Sequence, residues 1–352
     1  MHITRRNLLA ATTLAPFISS CAVTPPHSRA DTVDALAGTL GIDAAYATLS
    51  AAEAASPVAV SPRSSMHPVH PDSLFQAASL TKPLVAFVAL TLARAGKLDL
   101  HAPVSQYLPD GYRHRQHPIA RDADVDLVEA DTLARIPVAS LLNHTSGLPN
   151  WTSSALRPES AAGEKWRYSG EAYVLLQAVI GAVTGLDTQA CLQRYAFDPL
   201  GMRHSRMCLT DEVRGRLAVG ASLLPWDRPL DFVEPNAAAS LYTSAGDYAK
   251  LVAHWLRDDA LLALTLSQPV PVDPGLGLSW GYGWGVEQAA GGPYLWHWGN
   301  NPGYRAFVMV SASSGNGFVL FTSDARGLAL AQPLARSTIP AEHRVFDFHM
   351  LA

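Results

Sequence analysis

From Ser79 to Arg94 the chain reads SLTKPLVAFVALTLAR, sixteen residues with apolar side chains on nearly every side of a helix. A helix apolar all round cannot lie on a surface, so the rest of the fold must be built around this one. Pro83 fits only in a first turn, which places the helix start at Ser79, and Gly96 closes the far end. Ser79 and Lys82 therefore share the positive end of a buried helix. Of 26 basic residues only four are lysines, at 82, 97, 165 and 250. Arginine stays charged at any ordinary pH, whereas a lysine in a dry site can lose its proton and act as a base. Ser-x-x-Lys puts both side chains on one helix face, about 5 to 6 Å apart between Cβ atoms, close enough for direct proton transfer. By itself the pair also reads as a capping serine with a snorkelling lysine.

Around this helix the pattern is strands at both chain ends and helices between. Short apolar runs at 44–50 and 57–61 read as paired strands, and GYGWGVEQ, PYLWHWG, AFVMVSA and GFVLFTS form a β-rich block from 281 to 323, with SGNG at 314–317 as a hairpin turn. Helices are expected at about 171–183, closed by Gly185, through 188–197, from an N-cap at Ser244, and near 325–336. These place the chain in the α+β class, with one antiparallel sheet assembled from both termini and a helical subdomain inserted at about 100–240. The polar stretch 110–135 reads as a surface insertion. With 352 residues, 48% of them hydrophobic, the chain buries a large core, and its net charge of -4 without a basic run excludes nucleic acid as a partner. The three cysteines show no Cys-x-x-Cys or zinc spacing, and whether Cys191 and Cys208 pair is open. His67, His70, His114 and His117 lack the spacing of a metal motif, so no metal or other cofactor is implied.

The first residues have a different character. Arg5 and Arg6, an apolar run from Leu8 to Ile18 and a small-residue exit form the anatomy of an export signal over residues 1–20, too short to span a membrane as a helix. The paired arginines resemble a twin-arginine signal. ISSC, ending at Cys21, resembles a bacterial lipobox, which implies Cys21 as a lipid-bearing mature N-terminus on the periplasmic side of a membrane. A cleaved, soluble exported form is the alternative. Residues 21–34 then read as a tether and 35–345 as the folded domain.

Downstream of Ser79 and Lys82 come LLNHTSGLPNW (141–151), YSGEAYVLLQAVI (168–180), DPLGM (198–202), YTSAGDYAKLV (242–252), GYGWGV (281–286) and HWGNNPGY (297–304). In this order they resemble the serine β-lactamase and penicillin-binding-protein superfamily, in the branch of class C β-lactamases, D,D-peptidases, D-aminopeptidases and related esterases, over about residues 40–340. The resemblance implies Ser79 as acyl-forming nucleophile, Lys82 as the group taking its proton, and Tyr168 as the phenol passing that proton to the leaving group. It also implies an oxyanion hole from the backbone N–H groups of Ser79 and Asn300, each donor contributing about 2.7 to 4 kcal/mol. His297-Trp298-Gly299 stands where the family has Lys-Thr-Gly, so His297 and Gly299 are expected beside the substrate.

Two departures bear on substrate. The family's amide-holding asparagine, two residues after the tyrosine, is Gly170 here, and the carboxylate-clamping lysine is His297. Both weaken lactam and peptide recognition and favour an esterase-like hydrolase of small esters or amides. A β-lactamase or D,D-peptidase is the alternative, and a non-catalytic peptidoglycan-binding protein is the alternative of another class. A monomer is expected. Trp151, Trp280, Trp284, Trp296 and Trp298 are candidates for pocket walls or for core packing, and His144 and Asp247 read as scaffold residues.

Overall fold

In the computed structural model, residues 29–117, 120, 122–222 and 228–351 are described, with side chains from Val33 onward. The expected export signal and Cys21 lie outside these residues. The expected tether is corrected at its end: helix α1, Arg29–Leu40, begins inside it, and Val33 and Ala37 are buried against the sheet. A Thr-Val-Asp-Ala-Leu run carries enough apolar spacing to dock once a sheet face is present, which sequence alone did not indicate.

Strand β1 (Ala44–Ser50) turns back through β2 (Glu53–Ala54) and β3 (Val58–Val60), both pairing with it antiparallel. Strand β4 (Phe75–Gln76) leads into a single 3-10 turn, Ala78–Leu80, and then α2 (Thr81–Arg94). The helix thus starts two residues later than expected, with Ser79 on the turn ahead of it and Pro83 in its first turn. Next comes the 110–135 segment. It is a hairpin of β5 (Tyr112–Arg115) and β6 (Val125–Val128).

The helical part follows: α3 (Ala130–Leu133), α4 (Val138–Leu142), α5 (Gly170–Thr184), α6 (Thr188–Leu192) continued by a π turn to Phe197, α7 (Asp198–Leu200) and α8 (Asp211–Arg214). Strand β7 (Tyr242–Thr243) pairs with β4. Helix α9 (Ala245–Arg257) is capped by Ser244, whose hydroxyl accepts from Asp247 N, as expected, and α10 (Asp259–Thr265) follows. Buried Asp247 accepts from His204 N and the Ser205 hydroxyl, a scaffold role. The C-terminal block is β8 (Val270–Asp273), β9 (Leu278–Trp280), β10 (Gly285–Ala289), β11 (Gly292–Asn301), β12 (Tyr304–Ser311) and β13 (Gly317–Thr322), ending in α11 (Ala331–Thr338).

The nine-stranded sheet runs β2-β1-β13-β12-β11-β10-β9-β8, with β3 also on β1, so the two chain ends share one antiparallel sheet. Both of its faces are covered. Along β12 and β13, Phe307, Met309, Phe318 and Leu320 point to one core, shared with α1 and α11. Val308, Val310, Val319 and Phe321 alternate with them and point to the other, where α2, α5 and α9 pack. Strands buried on both faces read as continuous apolar runs, and GFVLFT is one. In α2 only Thr91, Ala93 and Arg94 are not buried, as an all-round apolar helix requires.

Candidate active site

The 3-10 turn before α2 leaves Ser79 partly buried while its neighbours Ala78 and Leu80 are fully buried. Ala78 sits at φ +49°, a left-handed conformation that a non-glycine residue adopts only when its surroundings enforce it. Those surroundings are identifiable. Ala77 N donates to Leu241 O at 2.8 Å, the Thr81 hydroxyl donates to Ala78 O at 2.6 Å and accepts from Leu241 N at 3.0 Å, and the Tyr248 hydroxyl donates to Leu80 O at 2.9 Å. The nucleophile candidate is thus fixed by the segment before β7 and by α9.

Lys82 lies one turn further, 1% exposed, with Nζ donating to Ser79 Oγ at 3.1 Å and to Ala238 O at 2.9 Å. Its remaining surroundings are aromatic, with Nζ 4.8 Å from the Tyr168 ring centre and 5.8 Å from that of Tyr173. Among the described residues no carboxylate offsets the burial, which brings the Lys82 pKa down to about 7. Ala238 O is presented by a turn that Asn236 and Ser240 build, Asn236 Oδ1 accepting from Ala238 N and Ser240 Oγ from Asn236 N. This carbonyl is a site element that sequence reasoning missed, since a backbone acceptor inside NAAAS leaves no side-chain signal.

Tyr168 immediately precedes the N-cap of α5. Ser169 Oγ accepts from Ala172 N at 2.9 Å and donates to Pro149 O at 2.7 Å, and Ser169 N donates to His144 Nδ1 at 3.1 Å. That last bond leaves the His144 proton on Nε2 and makes His144 a scaffold residue, as expected; burial, with Lys82 and His297 nearby, holds it neutral. Burial also raises the Tyr168 pKa, and the neighbouring Ser79 hydroxyl acts against it. The buried phenol oxygen has no geometrically complete hydrogen bond among the described residues, although Ser79 and Lys82 are its neighbours. Ser79, Lys82 and Tyr168 are therefore brought together as the sequence suggested.

The other expected site residues fall differently. His297 is fully buried against Tyr168 and Trp280, and its Nδ1 donates to Trp298 O at 2.9 Å. Burial, aided by Lys82, pushes its pKa down to about 3, so it is neutral at pH 7 rather than partly charged. Beyond Trp296 strand β11 leaves β10, and its edge runs against the Ser79 turn. Gly299 makes this approach possible, since a Cβ there would lie 2.3 Å from Ala77 O and 3.2 Å from Ala78 Cβ. Asn300 follows on the same edge and lines the adjoining cleft. Gly170 is buried beneath Trp151, whose ring would be 2.5 Å from any Cβ at 170. The absent asparagine is thus replaced by an indole, and an asparagine could not simply be restored.

Of the five candidate tryptophans, Trp151 is 39% exposed and lines a cleft of about 570 Å³, whereas Trp280, Trp284, Trp296 and Trp298 are buried packing. The hairpin contributes too. His114 is 1% exposed, with Nδ1 2.7 Å from Asp126 Oδ1 and Nε2 3.4 Å from Glu171 Oε2. Burial works to lower its pKa, but the two carboxylates outweigh it and the net shift is upward. The insertion is therefore clasped to the start of α5 rather than merely solvated. Cys191 and Cys208 are both free thiols.

The β-lactamase family model matches residues 42–340. The chain belongs to the β-lactamase family. This is the serine β-lactamase and penicillin-binding-protein superfamily, a group of serine hydrolases, and the α+β fold agrees with it. A class C β-lactamase structure superposes with a TM-score of 0.70 at 18% identity, covering 88% of this chain and 96% of that one. Among curated relatives, esterase EstB of Burkholderia gladioli is 32% identical over 171 residues, 40% of this chain and 40% of its own. Penicillin-binding protein 4* of Bacillus subtilis (strain 168) is 25% identical over 287 residues, 69% of this chain and 59% of its own. The chain thus spans roughly half the length of these two relatives.

Proposed function

We propose that this protein is an exported serine hydrolase that cleaves small esters, and secondarily amides, through an acyl-enzyme on Ser79. The observation that carries the proposal is a fully buried lysine, its pKa near 7, 3.1 Å from the hydroxyl of a partly buried serine. In acylation Ser79 Oγ bonds to the substrate carbonyl carbon as Lys82 Nζ takes its proton. The resulting oxyanion is received by the N–H groups of Ser79 and Asn300. The carbon–oxygen bond to the leaving group then breaks, and the departing alkoxide takes a proton from Tyr168, which Lys82 reprotonates. Water enters by the same path in reverse, breaking the Ser79 ester and releasing the acid. No cofactor takes part in these steps.

Three features support an ester rather than a lactam. Gly170 carries no side-chain amide and has the Trp151 ring in that place, neutral His297 offers no cation to a substrate carboxylate, and one curated relative is named as an esterase. The penicillin-binding relative keeps lactams as the second reading. Residues 1–21 support export with lipid attachment at Cys21, and a monomer suffices for every step above. The test is hydrolysis of p-nitrophenyl butyrate alongside labelling by a fluorophosphonate probe. Ser79→Ala should abolish both, and competition by penicillins but not by esters would move the assignment to the lactam reading.

A further inference from the structure

The cleft of about 570 Å³ lies beside the Ser79 turn and adjoins the site through sequence neighbours, with Ser79, Lys82 and Tyr168 outside its walls. Its walls include Ala239, next to the carbonyl that holds Lys82, and Asn300, next to the glycine that packs on the Ser79 turn. Trp151, Leu230, Phe232 and Pro302 form its apolar walls and make most of its exposed surface apolar, while His117, Thr152, Ser153, Asn236 and Asn301 add polar ones. Trp151 is held on both sides by one helix end. Asn150 O accepts from Gly170 N and Glu171 N at 3.0 and 3.1 Å, Asn150 Oδ1 accepts from Gly170 N at 3.0 Å, and Glu171 Oε1 accepts from Thr152 N at 3.1 Å. Glu171 is 2% exposed and is itself clasped by His114 of the hairpin. An indole with over a third of its surface open, pinned at both neighbours and laid where the side chain of residue 170 would stand, is a rigid wall rather than a mobile surface residue.

We propose that Trp151 is the specificity-determining residue of this site, selecting esters whose acyl group carries an aromatic ring one or two bonds from the scissile carbonyl. The inference rests on the hydrolase reading above and names its substrate class. A ring in the cleft stacks on the exposed indole face and displaces water from Leu230 and Phe232. An acyl group that presents an amide at the same place meets a ring where a hydrogen-bonding partner would be needed, and loses that bond. Gly170 and Trp151 act as one unit, since the ring occupies its position only because residue 170 has no Cβ.

The experiment compares kcat/KM for p-nitrophenyl phenylacetate and p-nitrophenyl acetate in the wild type, Trp151→Ala and Trp151→Phe, with fluorophosphonate labelling of Ser79 as a count of competent sites. The wild type should prefer the phenylacetate by about tenfold or more. Trp151→Ala should erase most of that ratio and Trp151→Phe should keep part of it. Labelled enzyme with an unchanged ratio in both variants overturns the inference and leaves the hydrolase reading standing. Absence of both labelling and turnover in the wild type overturns the two together. A further arm uses Gly170→Asn, which should be poorly folded alone and recover its thermal transition in the Trp151→Ala background. Equal tolerance in both backgrounds contradicts the pairing.

Discussion

Replacing Lys82 by arginine or by methionine separates the two consequences of burying an amine. An ordinary lysine is neutral in about one molecule in 3,000 at pH 7, while one with a pKa near 7 is neutral in about half, so burial raises the supply of base roughly 10³-fold. Arginine keeps the charge but cannot give up its proton, and Lys82→Arg should therefore lower kcat/KM by about 10³-fold or more. In the wild type, kcat/KM should rise with pH and level off above about 7 as Lys82 becomes neutral. Stability should run with it. The folded Lys82 pKa lies below the unfolded one, so the unfolded state binds more protons between about pH 7 and 10.5, and the destabilisation is complete below pH 7 and fades towards pH 10. At about 1.4 kcal/mol per pKa unit the burial costs about 5 kcal/mol, from which the lost bond to Ala238 O removes about 1 to 3 kcal/mol. Lys82→Met should thus stabilise the fold by about 2 to 4 kcal/mol at pH 6 and be neutral or destabilising at pH 10, where only about 1 kcal/mol of the burial cost is left to offset the lost bond. Urea unfolding at the two pH values and a pH–rate profile from 5 to 9 measure both effects. A flat profile with Lys82→Arg retaining a tenth of its activity would refute the base role, and a destabilised Lys82→Met at pH 6 would refute the account of burial.

Three further outcomes are expected. Gly299→Ala should depress kcat/KM by about 100-fold, because its Cβ would meet Ala77 O at 2.3 Å and push β11 off the Ser79 turn; wild-type kinetics in that variant would show that the β11 edge is not used. His343, 2.7 Å from the buried Glu287 carboxylate, has a raised pKa although burial opposes it, because Glu287 and Ile339 O favour the charged form. Its stabilisation is present below pH 6.5 and lost as pH rises through the folded value, so His343→Ala should cost about 3 kcal/mol at pH 5.5 and clearly less at pH 9 by thermal melts, and an equal cost at both pH values would contradict this. Cys21→Ala should move the protein from the membrane to the soluble fraction on cell fractionation, and unchanged retention would exclude lipid attachment at Cys21.

The sequence carried the parts of the fold that hydrophobic pattern controls. An all-apolar helix at 79–94 and doubly buried runs such as GFVLFT can be satisfied only by a core helix against a covered sheet, and that is where they lie. The pairing of Ser79 with Lys82 was legible because a three-residue spacing at a helix start brings the two together, and its chemistry, with the role of Tyr168, because the motifs that follow resembled a family's. What could not be read depended on tertiary contacts between residues distant in sequence. Ala78 at positive φ has no glycine to announce it and is held by Leu241 and Thr81. The hairpin at 112–128 looked solvated because its charges were counted without knowing that His114 and Asp126 would meet Glu171. His297 looked like a partly charged clamp until burial made it neutral, and Gly170 looked like an empty position until Trp151 was found to fill it.

The most direct test of the central claim is mass spectrometry of the enzyme quenched during turnover of a slowly deacylated ester. The account predicts one acyl group per chain, mapped to the peptide containing Ser79, absent in Ser79→Ala and formed far more slowly in Lys82→Arg. Continued turnover with no adduct on Ser79, or an adduct on another residue, would contradict it.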